Sequence, residues 1–202
     1  MALIKLNNKA VSNATAFGSI TSLGSMTFIK KLTASSSATL SFVDGSNGVV
    51  LDDTYKEYVF TFNNIHPSTA AQLKCNFSTD GGSNYNVTKT TTFFIAYHFE
   101  SGSESSLTYE AARDLAQSTS DMFISSTLKT DNDSSYSGEM KLFNPNSSVF
   151  VKHFLINGNS MGTTPRSIND ISAGYGNTTS PINAVRFQMS SGNIDAGDIC
   201  LY

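Results

Sequence analysis

Apolar residues alternate with polar ones in short runs, and each run is bounded by residues that favour turns. Because successive side chains on a β-strand point to opposite faces, such alternation places the apolar groups of a strand on one side. In two runs the alternating apolar side chains are Tyr58, Phe60 and Phe62, and Val185, Phe187 and Met189. The second run is followed by a turn rich in Ser, Gly, Asn and Asp and then by an apolar strand, which predicts a closing β-hairpin.

Similar runs recur along the chain at short spacing. The predicted strands are 27–33, 38–43, 57–62, 71–77, 90–97, 122–124, 139–143, 148–156, 182–189 and 198–202. Many short strands separated by turn residues predict an all-β fold, an antiparallel β-sandwich of jelly-roll type. The sequence shows no repeat of fixed period, which argues against a propeller or a β-helix. The one candidate helix, 109–116, is short and has no N-terminal capping box, so a loop is an equal alternative.

The polarity of the chain comes from neutral side chains. Charged residues make up 14% of the sequence, whereas they supply about a quarter of ordinary globular domains. Ser, Thr and Asn together account for about a third of the sequence, beside 14 Phe and 8 Tyr. Disorder is excluded, because disordered chains have few aromatic residues and high net charge. A net charge of −3 without a basic stripe also predicts that the protein does not bind nucleic acid.

The sequence divides into a leader, residues 1–25, and a single β-sandwich domain, residues 26–202. The leader holds one short apolar run, Leu3, Ile4 and Leu6, followed by a stretch rich in Ser, Thr and Gly. Three aliphatic side chains bury too little surface to order so long a segment alone. We therefore expect an attachment arm that pairs with another subunit or surface; the alternative is a further strand of its own sandwich. The absence of a signal peptide and of a long apolar span predicts synthesis in the cytoplasm and no membrane insertion.

One segment matches a catalytic pattern. Gly158–Gly162 reads G-x-S-x-G, the nucleophile elbow of α/β-hydrolases, but the Thr-Thr-Pro that follows cannot open the helix that an elbow requires. All three histidines also precede Ser160, which is the wrong order for that triad. The pattern therefore predicts a chance turn and no catalytic residue.

Metal and cofactor motifs are weak in this sequence. The loop that begins at Asp131 resembles half of a calcium loop, yet Tyr136 and Leu142 occupy the positions where an EF-hand needs Gly and Glu. A weak calcium site built from several loops stays open. The histidines lack metal-ligand spacing, and His153 is interpreted as a sheet residue or an inter-subunit contact. Cys75 and Cys200 are interpreted as unreactive core thiols, with a disulfide left open. No metal and no cofactor are predicted.

Four tyrosines lie in or beside loops rich in Ser, Asn and Gly: Tyr85, Tyr97, Tyr136 and Tyr175. Exposed Tyr among small polar residues is typical of adaptable recognition surfaces, so these four are the candidate recognition residues. The alternative is that their rings close the ends of the sandwich.

Several segments resemble small virion proteins of marine tailed bacteriophages. The resemblance lies in the leader and in the stretch after about residue 134: Gly138–Pro145, Phe150–Phe154, Ala173–Ser180 and Val185–Tyr202. The middle of the chain, 44–133, is less distinctive, and a binding specificity would vary there.

The resemblance implies a non-enzymatic structural protein that is displayed on the virion after synthesis in the host cytoplasm. It favours a tail fibre or receptor-binding subunit that mediates host attachment. Two alternatives are a decoration protein of the capsid and a jelly-roll carbohydrate-active enzyme. The expected partners are other virion proteins and a glycan or receptor on the host surface. Symmetric oligomers are usual among such proteins, and few charges oppose association here, so we expect a homotrimer. Apolar groups on both faces of Phe150–Ile156 predict that one face packs on the core and the other on a neighbour.

Overall fold

The computed structural model describes residues 26–202, and this part of the chain is all-β. Thirteen strands follow one another: β1 (Lys30–Thr33), β2 (Leu40–Val43), β3 (Glu57–Pro67), β4 (Leu73–Ser78), β5 (Lys89–Phe99), β6 (Ser105–Tyr109), β7 (Leu115–Ser118), β8 (Met122–Phe123), β9 (Tyr136–Phe143), β10 (Lys152–Met161), β11 (Arg166–Gly176), β12 (Ala184–Met189) and β13 (Ile194–Leu201). The leader, with its candidate arm residues Leu3, Ile4 and Leu6, lies outside the described residues.

Two antiparallel sheets pack face to face, which confirms the predicted β-sandwich. The larger sheet has the order β1-β13-β3-β9-β10-β11-β5-β6, with β7 also paired to β5; the smaller has the order β2-β12-β4-β8. Eight strands alternate between the sheets as β1-β13-β3-β9 and β2-β12-β4-β8, which is the connectivity of a jelly roll. The remaining strands, β5–β7 and β10–β11, widen the larger sheet beyond its partner.

The main core lies between the two sheets and is rich in aromatic rings. Both predicted alternating faces are buried: the exposed fraction is at most 5% for every one of Tyr58, Phe60, Phe62, Val185, Phe187 and Met189. The ring of Phe187 packs edge-on against Phe42, Phe60 and Phe62 with centroid separations of 5.3–6.2 Å. Edge-to-face pairs of this kind stabilise by more than the area they bury.

The structure decides one open alternative and contradicts two local predictions. Residues 109–116 form no helix, because Tyr109 pairs with Phe94 at the end of β6 and a turn closed by Arg113 and Glu110 leads into β7. The G-x-S-x-G segment is not a turn, because β10 continues through it to Met161. Cys200 is not a core thiol: its side chain points away from the core between buried Ile199 and Leu201 and is partly exposed, and both cysteines are free.

Pairing between strands defines two ends of the larger sheet. At one end, called the Lys152 end, Lys152 pairs with Gly176, Gly176 pairs with Lys89, and Glu57 pairs with Phe143. At the other, called the Arg166 end, Arg166 pairs with Phe99 and Met161 with Ser167. The two ends are about 30 Å apart, because β5 runs between them over eleven residues. No helix long and apolar enough to cross a membrane occurs in residues 26–202.

Candidate functional site

The Arg166 end carries a cationic group held between aromatic rings, here called the Arg166 cluster (Tyr97, Phe99, Glu104 and Arg166). The guanidinium carbon of Arg166 lies 4.6 Å from the ring centroid of Tyr97 and 5.4 Å from that of Phe99. These contacts arise because Arg166 and Phe99 are paired across β11 and β5. Stacking on two rings restrains the orientation of the guanidinium plane.

Hydrogen bonds to Glu104 hold Tyr97 and Phe99 of this cluster in place. The Tyr97 hydroxyl donates to the Glu104 carboxylate, and this hydrogen bond raises the pKa of Tyr97. The backbone N–H of Phe99 donates to the carbonyl of Glu104 at 3.0 Å and closes the β5–β6 hairpin. The Nε of Arg166 has no hydrogen-bond partner within residues 26–202. The cluster therefore combines a fixed cation, two aromatic faces and a carboxylate.

The outer surface of the larger sheet carries an open groove of about 460 Å³ near the Lys152 end, here called the outer groove. Its outward-facing residues are Phe143, His153, Leu155, Ala173, Tyr175, Thr90 and Thr92. They come from four adjacent strands, β9, β10, β11 and β5, since outward positions of paired strands fall side by side. Leu155 is 52% exposed, so the groove presents apolar surface to solvent.

Polar contacts hold the rim of the outer groove in place. The amide of Gln117 donates from Nε2 to the hydroxyls of Thr90, at 2.8 Å, and Tyr175, at 3.3 Å. Its Oε1 accepts from the Nδ2 of Asn177 at 2.8 Å. The rings of His153 and Tyr175 lie 6.1 Å apart. His153 is exposed on β10, and the hydrogen bonds of Gln117 join β7, β5 and the end of β11 at the rim of the outer groove.

At the same end of the sheet, the β9–β10 loop presents two bulky apolar residues to solvent, Val149 and Phe150, here called the tip. Their exposed fractions are 68% and 69%. The buried ammonium of Lys152 donates to the carbonyls of Ser147, Phe150 and Thr178 at 2.6–3.2 Å and so anchors the loop. The tip is thus anchored by Lys152 and exposed. Its residues form a loop, because β10 begins only at Lys152, although they were predicted to begin a strand.

The four candidate tyrosines do not form one surface. Tyr97 lies in the Arg166 cluster and Tyr175 in the outer groove, at opposite ends of the larger sheet. Tyr85 packs elsewhere, with its ring 4.4 Å from the guanidinium carbon of Arg186 on the smaller sheet. The prediction for Tyr136 is wrong: its side chain is fully buried against Gly158, where a Cβ would come within 2.2 Å of the Tyr136 hydroxyl oxygen.

Ser160 of the G-x-S-x-G segment belongs to a buried polar network. It is 1% exposed, and its hydroxyl donates to the Asp170 carboxylate at 2.8 Å. Asp170 also accepts from the backbone N–H and the hydroxyl of Ser126, at 2.9 and 2.6 Å. Burial raises the pKa of Asp170 to about 6. Because Ser160 is enclosed and its proton is directed to Asp170, its role is structural.

Neither the Arg166 cluster nor the tip was predicted from the sequence. Arg166 and Tyr97 are far apart along the chain, and only the pairing of β11 with β5 brings them together. For the tip a signal exists: Asn144-Pro-Asn-Ser-Ser148 is rich in turn residues and could have moved the start of β10 beyond Val149.

Within residues 26–202, no three His, Cys, Asp or Glu residues are placed to hold a metal ion together. Comparison with protein-family models, with curated proteins and with solved structures found no match to this chain.

Proposed function

We propose that this chain is a non-enzymatic structural protein of a tailed-phage virion, a tail fibre or receptor-binding subunit that mediates host attachment. The observation that carries the proposal is the separation of two unlike surface features on one sheet, one of them half-buried and the other exposed. The Arg166 cluster lies at one end, and the outer groove and the tip lie at the other. Such a subunit needs one surface for the virion and another for the host, and the widened sheet holds the two at a fixed distance.

The Lys152 end is the proposed virion side. Met26 and Thr27, where the described chain begins, lie beside Glu57, Val59 and Tyr202 at this end. The leader, which resembles an attachment segment, therefore joins the domain on the same side as the tip and the outer groove. Exposed apolar groups on rigid supports are typical of surfaces that contact other proteins.

The Arg166 end is the proposed host side. Aromatic faces stack on the apolar faces of sugar rings, and a fixed guanidinium pairs with carboxylate or phosphate groups. Tyr97 and Phe99 supply the rings and Arg166 supplies the cation. The cluster thus suits an acidic glycan of the host surface better than a neutral one.

The proposal is tested by binding fluorescently labelled protein to cells of the host. The wild type should bind and should block infection by the phage that encodes it. Arg166→Ala should weaken binding by about tenfold or more, the size of effect expected at an interaction hot spot. Tyr175→Ala, a matched change at the opposite end, should bind like the wild type. Equal binding by the Arg166→Ala variant would overturn the assignment of this cluster.

Localisation in intact particles separates tail fibre from capsid decoration. Electron microscopy with an antibody against the domain should label the tail; labelling confined to the head would show a decoration protein instead. Turnover of host glycan by the purified protein would show the carbohydrate-active enzyme.

A further inference from the structure

Lys89, at the start of β5, carries a fully buried amine. Its Nζ donates to two neutral oxygens, Oδ1 of Asn76 and the backbone carbonyl of Val87, each at 2.6 Å. Burial penalises the charged form and lowers the pKa of Lys89 to about 8. Near neutral pH part of the protein therefore holds Lys89 as a neutral amine, and a desolvated neutral amine is a nucleophile.

The side-chain amide of Asn76, on β4, is the group that this amine meets. Because a C=O bond is about 1.2 Å long, Nζ of Lys89 lies no more than about 3.8 Å from Cγ of Asn76. The same Oδ1 accepts a hydrogen bond from the backbone N–H of Phe77 at 2.9 Å. Two donors thus polarise the carbonyl group, and the amine lies close to the separation at which reacting atoms are held for attack.

The nitrogen of the same amide contacts a carboxylate. Nδ2 of Asn76 donates to Oδ1 of Asp121 at 2.8 Å, because β4 pairs with β8 and Asp121 directly precedes β8. Arg186 and Gln188 donate to Asp121 at 3.3 and 2.7 Å and hold its carboxylate in place. An amine, an amide and a carboxylate therefore stand in sequence, here called the Lys89 triad (Lys89, Asn76 and Asp121).

We propose that the Lys89 triad forms an isopeptide bond between Nζ of Lys89 and Cγ of Asn76. The neutral amine attacks Cγ, and the N–H of Phe77 stabilises the negative charge that develops on Oδ1. Nζ and Nδ2 are then bonded to the same carbon, so the carboxylate of Asp121 takes the excess proton from Nζ and passes it to Nδ2. The bond between Cγ and Nδ2 breaks and one ammonia molecule leaves. The atoms balance without an oxidant, a reductant or a cofactor.

The bond joins the two layers of the sandwich, because β4 belongs to the smaller sheet and β5 to the larger. It also closes the β4–β5 connection into a covalent ring, since the two residues are 13 positions apart along the chain. Such a link resists forced separation of the sheets, whatever the role of the protein.

The intact mass of the purified full chain tests the bond. The wild type should be lighter than the mass calculated from its sequence by one ammonia molecule. Lys89→Met removes the amine and Asp121→Asn removes the proton carrier, so each variant should keep its full calculated mass. A circular dichroism spectrum like that of the wild type checks that each variant folds. A wild type of full calculated mass would overturn the bond, and a bond that still forms in Asp121→Asn would overturn the role of Asp121.

Trypsin digestion of the wild type identifies the bonded residues. Trypsin cuts after Lys and Arg but not after an acylated lysine. The unbonded chain gives peptide 75–89, which contains both Asn76 and Lys89, whereas the bonded chain should give peptide 75–113, lighter by one ammonia molecule. Lys152 is equally buried but donates to backbone carbonyls, so cleavage after it should be normal and serves as the internal control. An asparagine can also lose ammonia by cyclising onto its own backbone, so a loss of ammonia with normal cleavage after Lys89 would overturn the bond.

Discussion

The carboxyl group of Asp170 should make the stability of the domain depend on pH in an unusual direction. Its side chain is fully buried, and burial raises its pKa from 3.8 to about 6, although three hydrogen bonds from Ser126 and Ser160 favour the charged form. Between these two values the folded protein holds a proton that the unfolded chain has released. Stability contributed by the protonated form is therefore lost as pH rises.

The size of the effect follows from the two pKa values. One pKa unit corresponds to about 1.4 kcal/mol, so the shift from 3.8 to about 6 amounts to about 3 kcal/mol. Because the unfolded carboxyl is already largely ionised at about pH 4.5, the change between about pH 4.5 and 7.5 is about 2 kcal/mol. The free energy of unfolding falls most steeply below about pH 6 and levels off above it.

The measurement is urea unfolding of the wild type and of Asp170→Asn across this pH range. The amide does not titrate, so subtracting the two curves cancels every other ionisable group. The free energy of unfolding of the wild type relative to the variant should fall by about 2 kcal/mol as pH rises from about 4.5 to 7.5. High salt should leave the difference unchanged, because buried charges are screened little. If the free energies of unfolding of the wild type and the variant ran parallel with pH, or if the wild type gained stability over the variant as pH rises, the raised pKa of Asp170 would be refuted.

Three further outcomes follow from the same structure. Lys152→Met should cost roughly 2–4 kcal/mol in urea unfolding, because the carbonyls of Ser147, Phe150 and Thr178 lose their donor; an unchanged free energy would show that water replaces the ammonium. Tyr136→Phe should raise the free energy of unfolding by about 1 kcal/mol, because the buried hydroxyl has no partner within residues 26–202; a loss of stability would show that it is hydrogen-bonded. Deleting residues 2–17 should leave the melting temperature unchanged and abolish incorporation into particles, because the three aliphatic side chains of the leader bury too little surface to order it on the domain. A fall of several degrees would instead make the leader part of the sandwich.

Short-range alternation was enough to predict the sandwich and the buried faces of β3 and β12. The same rule could have placed Tyr136 correctly, because it lies in phase with Met140 and Leu142 on β9, and both are buried. The surrounding Ser, Asn and Gly residues suggested a loop. The side chain of Tyr136 is nevertheless buried, because Tyr136 lies on the core-facing side of β9. Local composition was in this case a weaker guide than periodicity.

Long-range pairing was beyond the reach of local patterns. The Arg166 cluster depends on the register of β11 against β5, and nothing near Arg166 in the sequence encodes that register. The tip was missed for another reason. An apolar run such as Val149–Ile156 reads as one strand whether its first residues pair or not, and the turn-forming residues before it are the only local sign of where pairing begins.

The position of β13 has a consequence for how the sheet is assembled during folding. This strand is the last of the described strands, yet it lies between β1, the first of them, and β3. The edges of β1 and β3 therefore have no partner on that side until β13 arrives. An unpaired strand edge invites pairing with other chains, so a shortened or delayed β13 should favour aggregation of newly made chains, even where every loop and every exposed residue is unchanged.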